Sequence, residues 1–219
     1  MEGIEARNSI AWIEKRIYER RFRKYTLGRS LPYGFDCYLR IFNHFEHQDG
    51  TGVTWEEVAE MAGVTFHAEI PESDLWPVTR QGAVEGGFSD DFLTIRRGGL
   101  DRETATALGR ALDVWSEGEP VFMYFGLTES VHGHEPVLLK KSASELATIQ
   151  VHADLDAPGW EGPPEWVWPA DRRWVLSIDY DLYTHYLCCD EDLGSTILHL
   201  DGVEVLRTDL NRNSRYRVL

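Results

Sequence analysis

Between Ser9 and Tyr25 the apolar residues Ile10, Ile13, Ile17 and Phe22 recur near helical spacing with basic residues between them. This spacing predicts an amphipathic helix that stops before Gly28. Leu31-Pro32-Tyr33-Gly34 is turn chemistry, and the aromatic-rich run from Phe35 to Phe42 predicts a strand. Asp49-Gly50-Thr51-Gly52 reads as a loop. Thr54-Trp55-Glu56-Glu57 has the form of a capping box, with Thr at the N-cap and Glu three residues on, and the short helix it opens ends at Gly63. From Thr65 to Gly99 Pro and Gly predominate, which predicts loops with a short strand near Phe92–Ile95.

Asp101 is placed to cap a helix that runs through Trp115, with Ala105, Leu108, Ala111 and Leu112 on one side and Gly118 closing it. The continuous apolar run Pro120–Leu127 predicts a central strand buried on both faces, and Pro136–Lys141 a further strand. Ser142-Ala143-Ser144-Glu145 offers a second capping box for a short helix to about Ile149. Pro158–Pro164 is an irregular crossing. Trp174–Tyr180 and Thr184–Cys189 predict two strands whose short connection makes them antiparallel. Leu193–Leu200 reads as a helix, Val203–Leu206 as a last strand and Arg212–Leu219 as a frayed tail. Strands and helices mix without βαβ alternation. The expected class is therefore α+β, a single mixed or antiparallel sheet with packed helices. Residues 1–30 form a basic amphipathic helix appended to one domain of residues 31–219.

The chain has 219 residues, enough to bury a core without disulfides or metals. Its 42% hydrophobic and 27% charged content is ordinary for a globular protein, which excludes extensive disorder. Net charge is −15, a field that repels phosphate backbones and argues against general nucleic-acid binding. The charge is uneven, because residues 1–30 carry eight Lys or Arg against four Glu. Such a basic arm docks on the acidic body or reaches a partner. Cys37, Cys188 and Cys189 make an odd count, and the adjacent pair cannot readily bridge, which fits a reduced, cytoplasmic protein. No secretory leader pattern and no apolar run of membrane-spanning length is present in the sequence.

Chemistry concentrates between Trp166 and Tyr186, where Trp166, Trp168, Trp174, Tyr180, Tyr183 and Tyr186 surround Asp179, Asp181 and the pair Arg172-Arg173. On a strand Trp174, Leu176 and Ile178 face one way, and Val175, Ser177, Asp179 and Asp181 the other. Paired carboxylates can divide acid and base roles or hold a hard cation, and Asp-x-Asp at a strand end is equally turn chemistry. Arg172 and Arg173 are placed to clamp an anion or to stack on Trp166 and Trp168. His132-Gly133-His134-Glu135 offers imidazoles without the second pair a zinc pattern needs, so neither a metal nor a cofactor is expected. His44-Phe45-Glu46-His47 reads as a solvated loop. No nucleophile elbow and no phosphate-cradling glycine loop occurs. The cysteines read as buried small hydrophobes, further quieted by Asp190, Glu191 and Asp192.

Three blocks carry a family resemblance. Leu31-Pro32-Tyr33-Gly34-Phe35-Asp36-Cys37-Tyr38-Leu39-Arg40-Ile41-Phe42-Asn43-His44 is similar to the opening of an uncharacterised actinobacterial protein family. Val53–Ala59 and the segment Trp168–Trp174 with Asp179-Tyr180-Asp181 and Thr184-His185-Tyr186 resemble its later blocks. The chain departs from that family in the basic residues of 1–30 and at Cys188-Cys189, where small residues are more usual. The resemblance implies a single cytoplasmic α+β domain and no mechanism. In size, charge and class the chain also resembles the small α+β immunity proteins that neutralise bacterial toxins. Two functions are expected from different classes. One is a non-enzymatic acidic domain that binds a basic protein partner through Asp179, Asp181, Tyr183, Trp166, Trp168 and Arg172. The other is a small hydrolase or metal-assisted enzyme that uses Asp179 and Asp181 with His132, His134 or His185.

Overall fold

Strand β1 (Cys37–Phe42) presents Cys37, Leu39 and Ile41 to one face and Tyr38, Arg40 and Phe42 to the other, so it needs cover on both sides. The structure, a computed structural model, describes residues 2–18, 27, 30–47, 49–71, 73–75, 93–95, 98–126, 135–149, 162–179 and 182–211. Among them β1 joins a seven-stranded sheet in which every neighbouring pair is antiparallel. The other strands bear the labels β5 (Val121–Phe125), β6 (Val137–Lys141), β7 (Trp166–Trp168), β8 (Val175–Ser177), β9 (Thr184–Cys189) and β10 (Glu204–Arg207). Their spatial order is β10-β1-β9-β8-β7-β5-β6. All six residues of β9 are buried, because this strand lies inside the sheet with both of its faces covered.

One face is covered by helix α3 (Arg102–Trp115), a 3-10 helix (Ala143–Ala147) and helix α4 (Glu191–Ile197). There Leu39, Ile41, Met123, Val167, Leu176 and Leu187 share a core with Leu108, Leu112, Leu193 and Ile197. The opposite face carries Tyr124, Trp168, Val175, Tyr186 and Cys188, which pack against Ala6, Ile10 and Ile13 of helix α1 (Glu2–Tyr18). Burying each isoleucine contributes roughly 1.5–3 kcal/mol, which holds the helix on the sheet. Trp12 meets Trp168 edge-on at 6.3 Å, and the Arg16 guanidinium lies 5.3 Å over Trp12. Helix α1 begins well before the expected Ser9. Its Glu2, Glu5 and Glu14 balance Arg7, Lys15 and Arg16, so the basic excess of the N-terminal segment falls on residues 19–26 and 28–29, outside the described residues.

A second, three-stranded sheet is formed by β2 (Phe45–Glu46), β3 (Gly52–Val53) and β4 (Thr94–Ile95) in the order β3-β2-β4. The expected loop at Asp49–Gly52 is the connection of this small hairpin, with Thr51 N donating to Asp49 Oδ1 at 2.9 Å and Gly50 at φ +83°. Helix α2 (Trp55–Ala62) has both halves of its expected capping box and ends at Gly63 with φ +72°. Phe42, Phe45 and Trp55 form the core between the small sheet and this helix. Arg40 is buried and donates to the carbonyls of Ala68 and Ile70 at 2.8 and 3.1 Å, so it ties that loop to the main sheet.

The second capping box, at Ser142, opens a 3-10 helix, the tighter form usual in short pieces. Helix α4 starts at Glu191 rather than Leu193, because Asp190 accepts from Leu193 N as its N-cap. Of the other expectations, the frayed tail lies outside the described residues, as does most of the Pro158–Pro164 crossing. No helix among the described residues is long and apolar enough to cross a membrane.

The 3-10 helix sits hard against α3 at Gly109, where a Cβ would stand 2.6 Å from the Ala143 carbonyl oxygen. In an open helix Gly→Ala gains up to about 1 kcal/mol of propensity. Here Gly109→Ala forces two backbones apart, and it is expected to destabilise the protein by roughly 1–3 kcal/mol in urea unfolding. Equal or greater stability would show that the approach is looser than described.

Candidate functional site

Antiparallel register places Trp166 beside Ser177 and Ser177 beside Tyr186, so three neighbouring strands contribute one row of side chains to the α1 face. This row lines a cavity of about 380 Å³ that is closed on another side by Leu27, Leu31 and Leu182. Pairing continues beyond the strand ends, because Ile178 N donates to the Glu165 carbonyl at 2.9 Å and Glu165 N to the Tyr124 carbonyl at 2.8 Å. That extension brings two carboxylates, Glu165 and Asp179, to the lining of an otherwise largely apolar cavity. Glu165 is half-buried and Asp179 exposed. Gly126 leaves room for the Glu165 carboxylate in its present position, since a Cβ there would lie 2.6 Å from the Tyr124 ring and 2.8 Å from Glu165 Oε2. An apolar concavity with a few convergent polar groups is the usual form of a ligand site.

The residues singled out in the sequence divide among several places. Trp166 and Asp179 line the cavity. Trp168 lies under α1, stacked on Phe122 at 5.7 Å. Arg172 stacks as expected, but on Trp12 at 4.9 Å instead of on Trp166 or Trp168. It sits at φ +59° in the Pro169–Arg173 turn, where its N–H donates to the Pro169 carbonyl. Tyr183 packs on the core around Phe42 and Phe45, and its carbonyl accepts from Asn43 N. Asp181, His132 and His134 lie outside the described residues.

His185 is not brought to Asp179. It is fully buried and pairs in register with Ile41, with its Nε2 3.3 Å from Asn43 Nδ2. The strand alternation that sends Tyr186 to the cavity sends His185 to the other face. All three thiols are free and buried, and burial drives the Cys188 pKa far above its ordinary value. No group of three or more metal-ligating side chains occurs among the described residues.

Sequence reading missed a buried polar hub at the β1–β2 junction. Asn43 Nδ2 donates to the Gly99 carbonyl at 2.6 Å, and its Oδ1 accepts from Asp101 N at 2.9 Å. Asp101 accepts from Thr104 N and Thr104 Oγ1 at the start of α3, and from His44 N at 2.9 Å. His44 Nδ1 lies 3.3 Å from Asp101 Oδ2, an ion-pair distance off the line of a well-formed hydrogen bond. Burial alone would raise the Asp101 pKa, but the contacts with His44 and Thr104 outweigh it and hold the group at about 2. The same contact raises the His44 pKa against the effect of burial. The available signal was the N-cap position of Asp101; nothing local announced that His44 would meet it.

Linkage fixes the sign of the resulting pH dependence. The Asp101 contribution is complete above the unfolded-state value near 3.8 and is lost as pH falls through about 2. The His44 contribution is complete below its ordinary 6.5 and is lost as pH rises through its elevated folded value. Asp101→Asn is therefore expected to cost roughly 2 kcal/mol at pH 6 and to flatten acid unfolding between pH 4 and 2. Denaturant titrations at both ends of that window test this; a variant as acid-sensitive as the parent would place the dependence elsewhere.

The chain matches no family model, and no curated protein or solved structure matches it.

Proposed function

We propose that the protein is a non-enzymatic acidic interaction domain, immunity-like in its manner of action, whose cavity beside Trp166 receives a basic side chain of a protein partner. The observation that carries this reading is the row Trp166, Ser177 and Tyr186 with Glu165 and Asp179 in the same lining. A Lys or Arg stem gains from burial on Trp166, Leu31 and Leu182, while its charged end meets the two carboxylates. A cation over an indole face adds about 0.5–2 kcal/mol. The net charge of −15 steers a basic partner toward the body and opposes nucleic acid.

In the same reading residues 31–219 form one domain and helix α1, the described helix of segment 1–30, is an arm docked on it. Burial of Ala6, Ile10 and Ile13 against the sheet supports that docking. The cytoplasm is the compartment that suits three buried, unbridged thiols. Of the imidazoles named for the hydrolytic alternative, His185 lies in the helix-covered interior and away from the cavity, while His132 and His134 lie outside the described residues. The interaction reading is the one the described cavity supports.

Calorimetric titration with tetralysine, and with tetra-acetyl-lysine as the uncharged control, tests the cavity. Tetralysine is expected to bind, with an affinity that falls steeply between 50 and 500 mM salt, a range across which the Debye length shrinks from ~14 to ~4 Å. Asp179→Asn and Glu165→Gln should each weaken it about tenfold, the loss of one charge-assisted contact, with the melting temperature unchanged. Salt-independent binding, or equal affinity for the acetylated peptide, would overturn the reading.

A further inference from the structure

On the far side of α3 from the main core, a cleft of about 600 Å³ is lined by residues that the cavity beside Trp166 does not use. Its wall on α3 presents Arg102, Thr106 and Arg110, spaced four residues apart and so aligned along one stripe of the helix. Facing them is His44, whose Nδ1 is buried against Asp101 while the ring lines the cleft and the side chain keeps 13% of its exposure. Nε2 is neither buried nor hydrogen-bonded to a described residue, so it is the nitrogen open to the cleft. The Asp101 contact raises the His44 pKa, so below that raised value the imidazolium joins the two guanidinium groups in the cleft.

Carboxylates line the same cleft. Glu46 comes from β2, Glu103 from α3 and Asp201 from the turn before β10, where Gly202 at φ +77° lets the chain close on Glu103 and Ala107. Among the described residues, none of Arg102, Arg110, Glu46, Glu103 and Asp201 makes an ion pair within the cleft. A plain anion is repelled by these three carboxylates and by Asp101, which also lines the cleft beside His44, and a plain cation by the two guanidinium groups and the His44 imidazolium. A molecule that carries both signs satisfies both walls.

We propose that this cleft binds a small zwitterion, with an acid group held by Arg102, Arg110 and His44 Nε2 and an ammonium held by Glu46, Glu103 or Asp201. Asp101 is a positioning residue in this site: it fixes the imidazole and keeps it charged. Around His44 the charged groups are Asp101, Arg102 and Glu103 from α3, Glu204 from β10 and Glu57 from α2. The negative groups among them keep the imidazolium in place until pH rises above its elevated value, beyond which acid-group binding weakens.

Titration with O-phosphoethanolamine, with inorganic phosphate and ethylammonium chloride as single-charge controls, tests the proposal on the intact chain. O-phosphoethanolamine should bind more tightly than either control at pH 6, and more weakly at pH 9. Arg102→Gln and Arg110→Gln should each weaken it about tenfold, the loss of one charge-assisted contact. Both arginines are exposed, so these variants should fold normally. His44→Gln should weaken binding at pH 6 and remove most of its pH dependence. Inorganic phosphate binding as tightly as O-phosphoethanolamine, no binding of either at millimolar concentration, or binding indifferent to the arginine variants would each overturn the proposal. The comparison of ligands on the parent protein decides the matter without any variant.

Discussion

Two-sided cover of the seven-stranded sheet is the constraint from which the rest follows. Because α1 lies on one face and α3 with α4 on the other, adjacent residues of an inner strand belong to different layers. His185 therefore enters the polar hub beside Asn43, while Tyr186, one residue on, joins Trp166 and Ser177 in the cavity wall. The same alternation separates Cys188, packed near α1, from Cys189, packed near α4. A slip of one residue in β9 would exchange these roles all at once, so register and site chemistry are one specification.

The hub at Asn43, His44 and Asp101 joins the two sheets and the start of α3. Asn43 N takes the Tyr183 carbonyl, its side chain holds Gly99 and Asp101 N, and its own carbonyl accepts from Trp55 Nε1 at 2.7 Å. Nearby, Glu204 accepts from Trp55 N and Glu56 N, so a residue distant in sequence caps α2 as well as the local Thr54. Buried polar groups of this kind are costly unless satisfied, and here most are satisfied by elements far apart in the chain. The hub thus fixes the relative position of the small sheet, α2 and α3, and with it the shape of the cleft over His44.

Much of the local structure was legible from short-range chemistry. The Thr54–Glu57 box, the Asp101 cap, the apolar run at Val121–Phe125 and the alternation of Trp174, Leu176 and Ile178 against Val175 and Ser177 all hold in the structure. Strand β7 escaped notice because Trp166-Val167-Trp168 is short and Pro169 follows at once. The hairpin at Phe45–Val53 escaped because two-residue strands carry no periodic signal. Of the site residues, Trp166 is legible from the density of aromatic residues and Asp179 from its strand context, whereas Glu165 reaches the cavity only through pairing that runs past the end of β7.

The sequence by itself determined the class of the fold, where most helices and strands lie, which side chains share a strand face, and the acidic charge, because each depends on neighbours within a few residues or on composition alone. Tertiary structure alone decided that Arg172 stacks on Trp12, that His44 meets Asp101 across fifty-seven positions, and that His185 is sealed in the interior. Those outcomes depend on which surfaces of distant elements are pressed together when apolar area is buried on both faces of the sheet, and no local pattern encodes that pairing.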